Sequence, residues 1–458
     1  MDSIYYNQGG EQVGELFGTD GVRGEANRDV SPELAFKVGK AGAHFLAQDQ
    51  ADKKVLIGKD TRVSGDMLEA ALTAGITSLG IDVVEVGVVP TPAVAYLTRQ
   101  EDVAAGIMIS ASHNPVQDNG IKFFNSDGVK LTDEQEEQIE NIIFNTWEEL
   151  PTISGADVGQ KKELVGALEK YTDYLKTTVN YDFSGLKVVV DAANGAAYEA
   201  APLVLEELGA EVVALNDQLE GQKINVDCGS TAPERLQEVV VQENADLGIA
   251  HDGDADRVIA VDETGELVDG DYILSICGRY LINHNQLPKD TIVVTKYSNL
   301  GLHQAMKEVG GKVEVTKNGD RYVLAAMREK GYKLGGEKSG HIIFLDYNTT
   351  GDGILTALQL LDIMQDTGQK MSALKAQMRE LPQLLVNVEV DDKAWEDNKA
   401  INEAIESVEE TLSDKGRIFV RASGTEPVIR IMVEGEDKAE LERLANSVAE
   451  VVKEQLTM

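Results

Sequence analysis

The sequence predicts an α/β protein of several domains, and three observations predict it. Short β-branched runs recur at Lys54 (KVLIGKD), Lys187 (KVVVDAANG) and Thr291 (TIVVTKYSN). Each leads through a turn towards helix-like amphipathic sequence, such as MLEAALTAGITSLG from Met67 or GLHQAMKEVG from Gly301, the alternation that builds βαβ units and parallel or mixed sheets. The 458 residues also exceed one ordinary domain of roughly 100–200 residues. The three similar runs read as copies of one α/β unit.

Boundaries follow from turn and charge signals. The acidic segment from Asp133 ends in a Pro/Gly-containing turn region before a new strand near Leu186. Two turn signals flank a short strand in DETGELVDGD from Asp262, and GQKMSALKAQMRELPQ from Gly368 precedes strands with one exposed face and a charged final helix. These place four domains at 1–160, 161–262, 263–376 and 377–458.

Composition limits the function. Apolar residues at 42% and charged residues at 26% fit a folded globular chain. The excess of 79 Asp+Glu over 42 Lys+Arg, a net charge of −37, repels nucleic acid and anionic membrane surfaces. An anionic substrate then needs basic groups gathered locally, so a strongly positive cleft in an acidic surface is expected. Cys228 and Cys277 stand far apart, which indicates neither a disulfide framework nor a thiolate metal site. No apolar run approaches the ~18 residues of a membrane span, and the first residues lack the pattern of a secretory signal. A cytoplasmic protein is expected.

Several stretches carry chemistry. In AHDGDADRVIAVDETG from Ala250, the residues Asp252, Asp254 and Asp256 alternate, and an extended backbone would turn all three carboxylates to one side. Such carboxylates repel one another unless a hard divalent cation neutralises them, and an all-oxygen donor set suits Mg²⁺. An EF-hand is excluded because Arg257 occupies the position where that loop needs glycine. The stretch IMISASHNPVQDNGIKFF from Ile107 sets Ser112 beside His113 with neither a GxSxG elbow nor an evident base. On their own, these two residues read as a helix cap and a polar loop residue.

RASGTEPVIR from Arg421 brings Arg421, Ser423, Gly424 and Thr425 into one loop followed by Arg430, a composition suited to cradling phosphate. In GGEKSGH from Gly335, alternation would align Glu337, Ser339 and His341 for hydrogen bonds to sugar hydroxyls. GTDGVRGEAN offers Thr19 and Arg23, and GKDTR offers Lys59 and Arg62.

In this order, GTDGVRG, GKDTRVSG, ISASHNPVQDNGIKFF, DGDADR, TKNGDRYV, GEKSGH and RASGTEPVIR resemble the α-D-phosphohexomutase superfamily over essentially the whole chain. The resemblance implies three related mixed-sheet α/β domains plus a C-terminal TBP-like α+β domain around a central cleft. It implies that Ser112 is a phosphoserine required for activity, and that Asp252, Asp254 and Asp256, with Ser112, hold one Mg²⁺. Glu337 and Ser339 match sugar-hydroxyl contacts, and Arg421, Ser423, Gly424, Thr425 and Arg430 match a phosphate-binding loop. Arg23, His113, Lys122, Arg257 and His341 match charged residues around the transferred phosphoryl group, with His341, Lys122 and Arg23 as candidate bases.

ELFGTDGVRGEAN, DCGSTAPE and LDYNTTGDGILTALQL resemble the bacterial branch that interconverts glucosamine 6-phosphate and glucosamine 1-phosphate on the route to UDP-N-acetylglucosamine and peptidoglycan. A phosphomannomutase or phosphoglucomutase of the same superfamily is the alternative, and a catalytically silent sugar-phosphate binder the rival from another class. Lys338 and Asn318 depart from the family's usual residues. Partners implied by the resemblance are the sugar phosphate, a second copy joined through the first domain and, as in some bacteria, a diadenylate cyclase.

Overall fold

The computed structural model describes residues 16–457 except 19, 49–52 and 424–426. It divides into two compact units, one covering most of the chain to Gln377 and one comprising residues 299–305 with 378 onwards.

The first unit holds three sheets. The first is built from β1 (Val22–Glu25), β2 (Lys54–Lys59), β3 (Asp82–Val88), β4 (Ala105–Ile109), β5 (Asp118–Asn125) and β6 (Lys161–Glu163), in the order β1-β5-β4-β2-β3-β6. The second contains β7 (Lys187–Asp191), β8 (Glu211–Leu215), β9 (Leu247–His251), β10 (Val258–Asp262) and β11 (Leu267–Val268), ordered β11-β10-β9-β7-β8. The third contains β12 (Thr291–Thr295), β13 (Lys312–Thr316), β14 (Leu334–Gly336) and β15 (Ile342–Phe344), ordered β13-β12-β14-β15.

One four-strand plan underlies all three. β2, β7 and β12 each lie parallel to the next strand in sequence and to the one after it, and the fourth strand returns antiparallel. Helices Gly65–Thr77 and Thr91–Gln100 make the first domain's two crossovers, Ala200–Glu207 and Glu234–Glu243 the second's, and Leu300–Glu308 and Asp320–Lys330 the third's. The runs from Lys54, Lys187 and Thr291 thus occupy the same place in each repeat. β4, β9 and β12 are buried along their whole length, as strands covered on both faces must be, and their apolar sequence satisfies that.

The plan fixes where function is displayed. In each repeat the third strand runs into the antiparallel fourth through a short loop, and these loops carry Ser112, Asp252 to Arg257, and Glu337 to His341.

The second unit contains an antiparallel sheet of β16 (Gln383–Glu389), β17 (Gly416–Ala422) and β18 (Val428–Gly435), with β18 central. Helices Lys399–Leu412 and Lys438–Leu456 bury Ile401, Val408, Leu444 and Val448 against it. Each is N-capped by a side chain that accepts two backbone N–H groups, Asn398 and Asp437, which satisfies donors the helix leaves open. Among the described residues no helix is long and apolar enough to cross a membrane.

Candidate active site

The loop after β4 turns sharply. Ser112 has φ +52°, a left-handed conformation that costs a non-glycine residue about 1–3 kcal/mol and persists only where its surroundings enforce it. Asn225 of the second domain contributes, its Nδ2 donating to the Ser112 carbonyl at 2.8 Å. The hydroxyl of Ser112 is buried and hydrogen-bonded to Asp252 Oδ2. His113 does not diverge from it, because Nδ1 lies 3.4 Å from Ser112 Oγ. Burial, then the charges of Arg257 and Arg23, lower the His113 pKa to about 4. His113 is therefore neutral beside an unmodified serine; any charge on it must follow the arrival of an anion there.

The three aspartates converge, but not by the extended backbone expected from their spacing. The segment is a tight turn in which the Ala255 N–H donates to the Asp252 carbonyl at 3.0 Å and Ala255 takes φ +58°. Asp252, Asp254 and Asp256 each offer an oxygen within 4.8 Å of the others, all buried. Lys122 on β5 donates from Nζ to Asp254 Oδ2 at 2.6 Å and lies 3.6 Å from Asp256 Oδ2. Thr91 Oγ1 donates to Asp254 Oδ2 at 2.7 Å.

Their electrostatics fit a cation site. Burial, then the charges of Asp256 and Asp254, push the Asp252 carboxyl well above the usual carboxylate range. Burial opposes ionisation of Asp256 as well, but Lys122 and the groups around it hold that carboxyl well below its usual range. Asp254 Oδ1 and Asp256 Oδ1 are buried with no hydrogen-bond partner. Buried carboxylate oxygens left without donors carry a large desolvation cost, and a hard cation taking oxygen ligands would remove it.

Gly253 explains why the turn sits so close to the serine. A Cβ there would lie 2.6 Å from the Ser112 carbonyl oxygen and 2.9 Å from Asn225 Nδ2. Gly253→Ala should force the two loops apart and lower stability by about 1–3 kcal/mol, the usual range for overpacking. Thermal unfolding measured beside activity checks this; an alanine variant with unchanged melting and turnover would refute the close contact.

The loop from Glu337 to His341 also differs from expectation. It is a hairpin turn, not an alternating strand: the Gly340 N–H donates to the Glu337 carbonyl and the Glu337 N–H to the His341 carbonyl, both at 3.0 Å. Gly340 has φ +92°, and a Cβ there would lie 2.1 Å from the Val258 carbonyl oxygen, so the third domain's loop rests on the second domain's β10. Glu337 Oε1 accepts the Gly319 N–H at 3.1 Å, and burial raises its pKa. Ser339 is exposed. Lys338 lies 3.6 Å from Asp269.

His341 is buried, with Nδ1 3.6 Å from Asp256 Oδ2 and the Gly351 N–H donating to Nε2 at 3.0 Å. Burial opposes protonation, but Asp256 and the acids around it pull the pKa up to about 9. A backbone N–H cannot donate to a second N–H, however, so the hydrogen-bond network assigns a lone pair to Nε2 and the proton to Nδ1, facing Asp256. The ring thus turns Nδ1 to the carboxylate.

Charges around the site are matched, in place of the strongly positive cleft expected. Arg23 on β1 lies 3.6 Å from Asp20, Arg257 3.8 Å from Asp256, and Lys130 pairs with Asp20 at 2.7 Å and Asp320 at 3.1 Å. Asp320 and Arg321 lie in TKNGDRYV, and Arg321 also pairs with Asp133 and Glu136. Lys59 and Arg62 face elsewhere: Lys59 pairs with Asp66 and Glu69, and Arg62 is buried beneath the serine loop.

The first unit thus gathers Ser112, His113, Lys122, Asp252, Asp254, Asp256, Arg257 and His341, with Arg23 and Glu337 close in charge interaction. In the second unit, Arg421 on β17 stands directly opposite Arg430 on β18, and Ser423 is buried at the strand end, with Lys393 Nζ donating to its carbonyl at 2.9 Å. Gly424 and Thr425 lie outside the described residues. Thr91, Asn225, Lys130 and Lys393 escaped sequence reasoning, because nothing in their local sequence names a partner 30 or more residues distant.

Models of the four domains of phosphoglucomutase/phosphomannomutase match residues 14–149 (α/β/α domain I), 169–265 (domain II), 269–381 (domain III) and 385–451 (C-terminal domain). The chain belongs to the phosphoglucomutase/phosphomannomutase family, within the phosphohexomutases. It is 55% identical to a phosphoglucosamine mutase of Desulforamulus reducens, over 96% of this chain and 99% of that protein. It is 56% identical to the phosphoglucosamine mutase of Pelotomaculum thermopropionicum, over 96% and 100%. Among solved structures, a phosphoglucomutase/phosphomannomutase family protein of Burkholderia thailandensis matches with TM-score 0.82 at 26% identity, over 96% of this chain and 97% of that one. An N-acetylphosphoglucosamine mutase of Aspergillus fumigatus shares the fold, with TM-score 0.69 at 19% identity over 96% of each chain.

Proposed function

We propose that the chain is a cytoplasmic phosphoglucosamine mutase. It interconverts glucosamine 6-phosphate and glucosamine 1-phosphate through a phosphorylated Ser112 and a 1,6-bisphosphate, and feeds UDP-N-acetylglucosamine synthesis. The observation that carries this reading is the hydroxyl of Ser112 hydrogen-bonded to Asp252 within a cluster of three buried carboxylates. The choice of sugar is supported by relatives above 50% identity that bear this name over nearly their full length.

Asp252, Asp254 and Asp256 would hold Mg²⁺ together with a phosphoryl oxygen on Ser112. When bound, the ion withdraws charge from the phosphoryl oxygens and makes the serine phosphate a better donor. In the forward transfer the P–O bond to Ser112 Oγ breaks and a P–O bond to the free sugar hydroxyl forms. The serine oxygen leaves with the bonding pair and takes up a proton, while the sugar hydroxyl gives one up. The bisphosphate then turns end for end, and the reverse transfer restores the phosphoserine.

Arg23, Arg257 and, once the phosphate is present, His113 balance the charge of the phosphoryl group. Lys122 moves a proton at the reacting hydroxyl, and His341 orients Asp256. Glu337 and Ser339 hold sugar hydroxyls in either orientation. Arg421, Ser423, Gly424, Thr425 and Arg430 take the phosphate that is not transferred. Arg421 and Arg430 stand opposite each other on β17 and β18, and two guanidinium groups there suit an anion shared between them. On this reading each domain, at 1–160, 161–262, 263–376 and 377–458, supplies one loop.

Side-by-side assays with glucosamine, glucose and mannose 6-phosphates test the sugar. Glucosamine 6-phosphate should give the highest kcat/KM, by at least about tenfold, or ~1.4 kcal/mol of transition-state discrimination. A clear preference for glucose or mannose would make the chain a phosphoglucomutase or phosphomannomutase.

A further inference from the structure

The side chains of Asp60 and Arg62 are wholly buried, and apart from the hydrogen bonds they make with each other, theirs run to the segment that carries Ser112. A guanidinium has five N–H donors in a fixed plane, and in Arg62 every one is committed. Nε donates to Asp60 Oδ2 at 3.0 Å. One terminal nitrogen donates to the carbonyls of Pro115 at 2.6 Å and Asp118 at 2.9 Å. The other donates to the carbonyls of Ser112 at 3.0 Å and Asn114 at 2.8 Å. Nothing is left over for a phosphate.

Asp60 completes the arrangement from the other side. Its Oδ2 also accepts the Ser110 hydroxyl at 2.5 Å, and Ser110 Oγ in turn accepts the Ser112 N–H at 2.9 Å. Both backbone polar groups of Ser112 therefore lead to one buried ion pair: the carbonyl directly to Arg62, and the N–H through Ser110 to Asp60. Ser112 needs such a constraint because its φ of +52° is disfavoured for a residue with a side chain. Relaxation of that dihedral would swing Oγ away from Asp252.

We propose that Asp60 and Arg62 are positioning residues for phosphoryl transfer, a two-residue clamp that holds the Ser112 backbone in its left-handed turn so that Oγ faces the aspartate cluster. The proposal rests on the reading of Ser112 as the phosphoryl carrier. Lysine cannot replace arginine here, since an ammonium offers donors from one point where the loop requires a planar fork reaching four carbonyls. A misplacement of about 1 Å at a reacting atom costs on the order of 100-fold in rate, so the effect falls on the chemical step and spares sugar binding.

The test uses the full chain as wild type, Arg62→Lys, Asp60→Asn and, as a control for lost stability, Leu205→Ala, a buried site on helix Ala200–Glu207 of the second domain. Each is incubated with glucosamine 1,6-bisphosphate and Mg²⁺. The amount and rate of phosphate transfer to Ser112 are followed by intact mass, with thermal midpoints and steady-state kcat and KM alongside. Expected for Arg62→Lys and Asp60→Asn is a loss on the order of 100-fold in single-turnover rate and kcat, with KM within about twofold. Leu205→Ala should lose melting temperature and keep its single-turnover rate. Should Arg62→Lys fail to fold, Asp60→Asn, nearly isosteric, decides alone. Rates within about threefold of wild type, or no lower than in Leu205→Ala at equal melting temperature, overturn the positioning role while leaving the carrier reading intact. A wild type that takes no phosphate on Ser112 overturns the carrier reading itself.

Discussion

Ser112→Ala should abolish mutase turnover, with a loss of at least about a thousandfold, as removal of a covalent carrier does in other enzymes. The substitution deletes one oxygen and spares the backbone bonds that shape the loop, because the Ser112 N–H still meets Ser110 and the carbonyl still meets Asn225. Melting should change little, so lost activity is not lost fold. Peptide mass spectrometry of the wild type should place a phosphoryl group on Ser112, and the alanine variant should lack it. Full activity in the variant, with no phosphate found on the wild-type serine, would defeat the proposed mechanism.

The second large effect concerns the metal. Asp254→Asn should lower turnover by at least about 100-fold at fixed Mg²⁺ and weaken binding of Mn²⁺, used as a probe and followed by electron paramagnetic resonance, by at least about tenfold. The amide keeps the shape of the side chain, and Lys122 retains Asp256 at 3.6 Å, so the charge left behind is not stranded. What changes is the oxygen that no donor satisfies, Asp254 Oδ1. Unchanged turnover together with unchanged Mn²⁺ binding would mean that the cluster holds no cation.

Much of the architecture could be read from the chain. The runs from Lys54, Lys187 and Thr291 pointed to a repeated unit because a strand buried on both faces leaves a dense apolar signature. The residues of the site were legible as motifs for a related reason: each loop is short, and the three between strands place their chemistry at 112–113, 252–257 and 337–341. The local geometry was not. Spacing suggested extended segments at Asp252 and Glu337, yet both are tight turns, shaped by contacts of Gly253 with Ser112 and of Gly340 with Val258, which lie far off in sequence. Arg62 shows the same limit. The GKDTR run offers an arginine with no role attached, and only burial and the direction of its donors show what it holds. The expected excess of positive charge also missed the acids Asp20 and Asp320, which tertiary packing brings beside Lys130.

The common strand plan has a consequence for how such an enzyme can change. On the proposed function the corresponding loop of each repeat performs a separate task, which makes the phosphoryl carrier, the cation and the sugar contacts modular. The sheet beneath each loop is a mount, indifferent to what is fixed on it. Exchanging residues 337–339 for those of a relative that acts on another sugar, with Gly340 and His341 kept, should redirect substrate choice while the chemistry at Ser112 stays in place. Specificity can then drift in one module without the loss of catalysis that a single shared pocket would exact.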